Sequence, residues 1–131
     1  MKKIILDTNA YTKYLWGDKD VLDVMVKAEV TFMSVFVLGE LHAGFRGGEK
    51  EKENKSLLLH FLEKPTVVVL DATEETSEVF GEIKDSLKRT GNPIPINDVW
   101  IAAHVIESGS VFISYDNHFK NIPGLRIWDK I

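Results

Sequence analysis

The 131 residues include no cysteine, which excludes disulfides and thiolate metal sites together and suits a reducing cytoplasm. No stretch approaches the ~18 consecutive apolar residues of a membrane-spanning helix. After Met1-Lys2-Lys3, only Ile4, Ile5 and Leu6 precede Asp7, too short an apolar core for a signal peptide. Internal repeats, low-complexity tracts and linker-like stretches are missing, so residues 1–131 are expected to form a single domain. Charge of one sign is also scarce. The net charge of −4 does not by itself point to a nucleic-acid partner.

What is present is an ordinary globular composition. At 44% hydrophobic and 27% charged residues, the chain can bury a core without staples. Apolar runs predict strands at Lys3–Leu6, Val30–Met33, Thr66–Leu70 and Val111–Ser114, with a fifth at an edge over Leu125–Trp128. Thr66–Leu70 is apolar on both parities, which predicts burial on both faces. Helical periodicity covers Asn9–Leu15, Asp20–Ala28 with Asp20 as N-cap, and a segment from a Ser34 cap to about Phe45. The charged run Glu49–Lys55 reads as the solvated first turns of a helix backed by Leu57, Leu58, Phe61 and Leu62. Thr73 begins a helix reaching about Thr90, with Gly91 past its end. Pro93 and Pro95 make an extended link, and Asn97 is expected to cap a last helix ending at Gly109. Strands alternating with helices predict an α/β fold with a mostly parallel sheet and helices on both faces.

Four acids stand at the edges of apolar runs: Asp7, Glu40, Asp98 and Asp116. In an open parallel sheet, sites form beyond the C-terminal ends of the strands. Asp7 ends the first strand, Asp116 follows the fourth, and Asp98 opens a helix after the extended link. Glu40 lies about two turns into its helix and joins them only if that helix leans over the same edge. Carboxylates gathered there require a compensating charge, which a hard divalent cation supplies. Each acid also has a plain reading: Asp7 as a turn or cap, Glu40 as a surface residue, Asp98 as a helix N-terminal acid, Asp116 as a turn. Setting aside four carboxylates committed to a cation leaves the rest of the chain neutral. Lys84, Lys88 and Arg89 on one predicted helix, and Arg46 after the Glu40 segment, are candidate RNA contacts; for the first three a solvated helix face is an equal reading. His42, His60 and His104 lie on predicted helices without ligand spacing and read as surface or satisfied core residues. Tyr11, Tyr14 and Trp16 could stack on bases or receive a partner's apolar segment, and at least one is expected in the core.

Taken in order, these residues resemble a PIN domain, and most of all a VapC-type toxin ribonuclease. The resemblance runs from Asp7-Thr8-Asn9 through Ser34, Val37, Glu40-Leu41 and Gly44. It continues through Gly91, Ile94, Asp98 and Ile101-Ala102-Ala103 to Ser114, Asp116, Phe119 and Gly124-Leu125, essentially the whole chain. It implies a three-layer α/β/α fold and Mg²⁺ or Mn²⁺ at Asp7, Glu40, Asp98 and Asp116, with Asn9 and Ser114 as polar groups behind them. The family often has Thr where this chain has Ser114; His118 falls inside the Asp-x-x-Phe segment without needing a role. It further implies endoribonuclease activity by metal-activated water, a cognate antitoxin, a homodimer and no membrane association. Two other readings compete. A non-catalytic PIN-like module would bind RNA or protein as a scaffold. A haloacid-dehalogenase-like phosphotransferase also begins with a strand-end Asp, but it needs a second Asp two residues later, where this chain has Asn9, and a Lys ahead of the late acids.

Overall fold

Ile4, Ile5 and Leu6 are all completely buried, although successive strand residues point to opposite sides of a sheet. Both faces of their strand must therefore be covered. The computed structural model, which describes residues 2–130, shows how. Four parallel strands, β1 (Lys3–Leu6), β2 (Val30–Ser34), β3 (Val67–Leu70) and β4 (Val111–Ile113), run in the order β3-β2-β1-β4. Ile4 sits opposite Thr31 on one side and Val111 on the other.

Six helices connect the strands: α1 (Thr8–Leu15) and α2 (Lys19–Lys27), α3 (Val35–Phe45) and α4 (Glu51–Leu62), α5 (Glu74–Thr90) and α6 (Ile96–Ser108). The first two crossovers step the same way across the sheet and the third steps back. Right-handed connections then place α1–α4 on one face and α5 and α6 on the other. The packing agrees: α1 lies against α2 and α3, α3 against α4, and α5 along α6. The expected three-layer α/β/α arrangement is thus what forms. Among the described residues no helix is long and apolar enough to cross a membrane.

The α3 and α6 helices also meet, near the C-terminal end of β2. Trp100 of α6 stacks on Phe36 of α3 and Phe80 of α5, with ring centroids 5.2 and 3.8 Å away. Beside this column, buried His104 donates from Nε2 to the Asp71 carbonyl at 3.1 Å, because that oxygen can only accept. Its Nδ1 then accepts from the Ser34 hydroxyl at 2.7 Å. Ser34 Oγ also accepts the Phe36 N–H at 3.1 Å, capping α3 as expected. Burial lowers the His104 pKa, consistent with this neutral tautomer. His104 is thus a satisfied core residue, while His42 and His60 are exposed.

Four sequence expectations need correction. The α2 cap is Asp18, whose carboxylate accepts from the Val21 N–H at 3.1 Å. Asp20 falls instead in the first turn, where the helix dipole favours an acid. The α6 cap is Pro95, not Asn97: the Pro95 carbonyl starts the helical ladder by accepting from Asp98 N at 3.0 Å. Proline suits a helix start because its absent N–H would have no helical partner there. In β3, Val68 is 43% and Val69 36% exposed, because the strand lies at the sheet's edge and is not covered on both faces. The expected fifth strand contracts to one bridge between Phe112 and Ile127. Trp128 draws that segment inward by donating its indole N–H to the Ser114 carbonyl at 2.7 Å.

Tyr11 is 1% exposed and packs edge-on against Phe61 at 5.1 Å, the core aromatic expected near the N-terminus. Its hydroxyl has no hydrogen-bond partner among the described residues, and burial pushes its pKa up to about 12. An orphaned buried hydroxyl costs about 1–3 kcal/mol. Tyr11→Phe should therefore raise the urea midpoint, by the equivalent of about 1 kcal/mol; a lower midpoint would show that the hydroxyl has a partner after all.

Candidate acidic active site

The ends of β1 and β4 lie side by side. Leu6 pairs with Ile113, and the Asp7 N–H donates to the Ile113 carbonyl at 3.1 Å. Just past these ends the chain spends both oxygens of Asp7. Oδ1 accepts the Ala10 N–H at 2.8 Å, which makes Asp7 the N-cap of α1. Oδ2 accepts the Ser114 hydroxyl at 2.5 Å. Ser114 Oγ in turn accepts the Asp116 N–H at 3.0 Å. One hydroxyl therefore sets the position of two acids, and Trp128 pins the same residue from behind.

Asp116 caps a short 3₁₀ turn, Asn117–Asn121. This brings His118 round so that its Nδ1 lies 2.6 Å from Asp116 Oδ1 and its Nε2 lies 2.5 Å from Asp98 Oδ2. Of the two contacts, the one to Asp98 is a hydrogen bond. Asp98 reaches this point from the first turn of α6. Glu40 arrives from the middle of α3, where its Oε1 accepts the Thr8 hydroxyl. Asp7, Glu40, Asp98 and Asp116 all line one open cavity of about 340 Å³, with Thr8 and Asn9 beside them and Ile101 and Phe119 as its apolar walls. The helix carrying Glu40 does lean over the strand ends.

The donor set is carboxylate oxygen with amide and hydroxyl neighbours, which matches a hard divalent cation. Among the described residues no three carboxyl or imidazole groups are close enough to clasp an ion unaided. An ion there would have to be held by few direct carboxylates and keep part of its water, a mode Mg²⁺ tolerates.

The basic candidates lie elsewhere. Lys84 and Lys88 line a separate cavity of about 270 Å³ with Pro93, Ile94 and Val99. Arg89 is paired with Asp85 at 3.0 Å on the surface, and Arg46 is the exposed C-cap of α3. Two residues at the acids carried no assigned role in the sequence: Thr8, against Glu40, and His118, between Asp98 and Asp116. Thr8 adjoins Asp7 and could have been suspected as a hydroxyl partner. For His118 no spacing signal exists, since Asp98 approaches it from another element.

The chain matches the PIN domain family over residues 4–125. It is 30% identical over 133 residues to Ribonuclease VapC2 of Rickettsia felis, covering 96% of this chain and 98% of that one. It is 28% identical over 131 residues to Ribonuclease VapC2 of Haemophilus influenzae, covering 96% of each. Among solved structures it resembles R. felis VapBC2 bound to a promoter DNA fragment, with TM-score 0.83 and 27% identity over 97% of this chain and 99% of that one. It also resembles DNA-bound VapBC from Salmonella typhimurium, with TM-score 0.84 and 26% identity over 98% of each.

Burial raises the Asp7 pKa despite the Ser114 and Ala10 hydrogen bonds, and the charges of Asp116 and Glu40 raise it further. Burial likewise raises that of Asp98, against the opposing effect of His118. Folding thus favours the protonated form of both carboxyls relative to the unfolded chain. Stability from this source is fully present below their unfolded value of 3.8 and is lost as pH rises through the elevated folded values. Asn caps a helix as well as Asp and carries no charge. Asp7→Asn should therefore be more stable than the parent at pH 7 without divalent cations, the gain vanishing as the pH approaches 3.8. Urea melts in EDTA at several pH values test this; a variant less stable at pH 7 would contradict the electrostatic reading.

Proposed function

The chain belongs to the PIN domain family, and from that premise we propose that it is a metal-dependent endoribonuclease, the toxin of a toxin–antitoxin pair. One observation carries the catalytic part: four carboxylates from four separate elements line a single open cavity at the strand ends. Buried Asp7 with a raised pKa is poorly explained as a structural device alone, since an ordinary cap would remain in water.

Mg²⁺ or Mn²⁺ bound among Asp7, Glu40, Asp98 and Asp116, by few of them directly and by the others through its waters, would supply a polarised phosphoryl oxygen and a water of lowered pKa. The chain's own residues prepare the site. Burial disfavours the ionised form of Asp7 and of Asp98, and a bound cation would oppose that effect by favouring their carboxylates. Thr8 orients Glu40, Ser114 orients Asp7 and the Asp116 backbone, and His118 spans Asp98 and Asp116. The overall reaction is addition of water to phosphorus with cleavage of the P–O3′ bond, giving 5′-phosphate and 3′-hydroxyl ends.

The toxin role is supported by the neighbours in structure, which are toxin–antitoxin complexes. It carries with it a cognate antitoxin, a homodimer and a cytoplasmic setting. Light scattering on a sizing column should give a dimer, and a strictly monomeric profile at high concentration would reject that assignment.

Purified protein should cut a mixed RNA panel with Mg²⁺ or Mn²⁺ and stop in EDTA. Asp7→Asn should lower the rate at least about 100-fold, the equivalent of roughly 3 kcal/mol of transition-state stabilisation. The cation should raise the melting temperature of the parent more than that of Asp7→Asn. RNA cleavage by Asp7→Asn at the parental rate would remove the site assignment; phosphatase activity without RNA cleavage would favour a phosphotransferase.

A further inference from the structure

Beside the acidic cavity lies a second one of about 400 Å³ that shares Asn9 and Asp116 with it. Its remaining walls are Thr12, Lys13 and Trp16 of α1 and its C-cap, with Tyr115 and Asn117 from the other side. Asn9, Thr12, Lys13 and Trp16 stand at i, i+3, i+4 and i+7, so they form one stripe along a single helical face. That stripe starts at the acids, because Asp7 caps the same helix.

Thr12 spends its hydroxyl on the Thr8 carbonyl at 3.1 Å, but the other residues of the stripe are available. Trp16 is 79% exposed, an unusual place for the largest apolar side chain unless something covers it. Its backbone is fixed, since its N–H donates to Thr12 and Lys13 carbonyls at 3.2 and 3.1 Å and Gly17 turns the chain away at φ 82°. Lys13 Nζ lies 4.8 Å from the centre of the Tyr115 ring and has no carboxylate within salt-bridge distance among the described residues. The Asn9 and Asn117 side chains are exposed and make no hydrogen bond among the described residues.

The geometry points to a nucleotide subsite: Trp16 stacks a base of single-stranded RNA, Lys13 meets the adjoining phosphate, and the Asn9 and Asn117 amides face base or sugar edges next to the scissile bond. The subsite rests on the nuclease reading for its place in the reaction. Asn9 to Trp16 spans about 10 Å of helix axis, well beyond the ~3.4 Å rise between stacked nucleotides. The base on Trp16 thus lies about three stacked steps from the acid end of the stripe, and single-stranded RNA leaves its bases open to such stacking. An antitoxin segment would also cover Trp16. The cation without a carboxylate partner, the two unengaged amides and continuity with the acid cavity favour the polyanion.

The test uses the full chain with oligoribonucleotides. Trp16→Ala should raise KM about tenfold, roughly 1.4 kcal/mol and within the range for one base–aromatic stack, with kcat within about twofold. Trp16→Phe should stay near the parent. Lys13→Gln should flatten the dependence of KM on salt. An active parent with an unchanged KM in Trp16→Ala overturns the subsite and leaves the nuclease reading standing. Fluorescence provides a readout independent of cleavage. Trp128 is buried and Trp100 is stacked on Phe36 and Phe80, so quenching by an oligoribonucleotide in EDTA that is lost in Trp16→Phe reports Trp16. Should the parent cut nothing, the nuclease reading fails and this titration alone decides: quenching keeps the nucleotide subsite and its absence removes it. A Trp16 signal that answers to a co-expressed partner protein and not to RNA overturns the inference.

Discussion

Asp7 is the residue on which two demands meet. Its carboxylate is buried among other acids, yet neither oxygen is free to turn away. One is committed to the first turn of α1 and the other to Ser114, a residue 107 positions away. The helix start, the end of β1 and the end of β4 are therefore fixed relative to each other by one side chain. Burial and the neighbouring charges push Asp7 toward its protonated form, and the hydrogen bonds hold the group in place regardless. The site is electrostatically unsatisfied and geometrically rigid, the condition in which added positive charge gains most from a low-dielectric setting.

The topology makes this economical. A parallel sheet brings the C-terminal ends of all its strands to one edge, so β1 and β4 deliver Asp7 and Asp116 without further machinery. The helices need more. Glu40 is carried over the edge because α3 is tied to α6 by the Phe36–Trp100 stack and the Ser34–His104 hydrogen bond. The same contacts settle where α6 begins relative to β2, and so where Asp98 points. His104 and Trp100 make no hydrogen bond to the four acids, but they set the angle at which two of the four enter the cavity.

Legibility in the sequence follows this division. The strands and helices were readable because local apolar periodicity encodes them, and Thr73, Gly91 and Ser34 marked ends through chemistry confined to a few residues. Caps went astray where two acids or a proline competed over two or three positions: Asp18 displaced Asp20, and Pro95 displaced Asn97. The burial of β3 went astray because Val68 and Val69 carry the same side chains an interior strand would, and only strand order distinguishes an edge. Asp7 and Asp116 were placed by topology, whereas Glu40's approach depended on an aromatic stack between distant helices. His118 was invisible as a site neighbour for the same reason: its partners Asp98 and Asp116 meet only in three dimensions.

The charge balance has to be read locally. A chain of net charge −4 with four carboxylates in one cavity would repel a phosphodiester if nothing else were near. Charges beyond about 10 Å are largely screened at ordinary ionic strength, so the sum over the molecule matters less than what borders the cavity. Lys13 adjoins it through the wall shared by Asn9 and Asp116. Lys84 and Lys88 line a separate cavity that shares no residue with that of the acids. The positive charge that borders the acids through that shared wall therefore comes from α1. On the proposed nuclease reading, Lys13 would face the polyanion while the acidic centre is kept for a divalent ion. This arrangement asks each lysine to stay free of local carboxylates. The pairing of Arg89 with Asp85 shows what forfeits that freedom: a cation whose charge is already engaged on its own helix has less to offer a substrate than its neighbour Lys88.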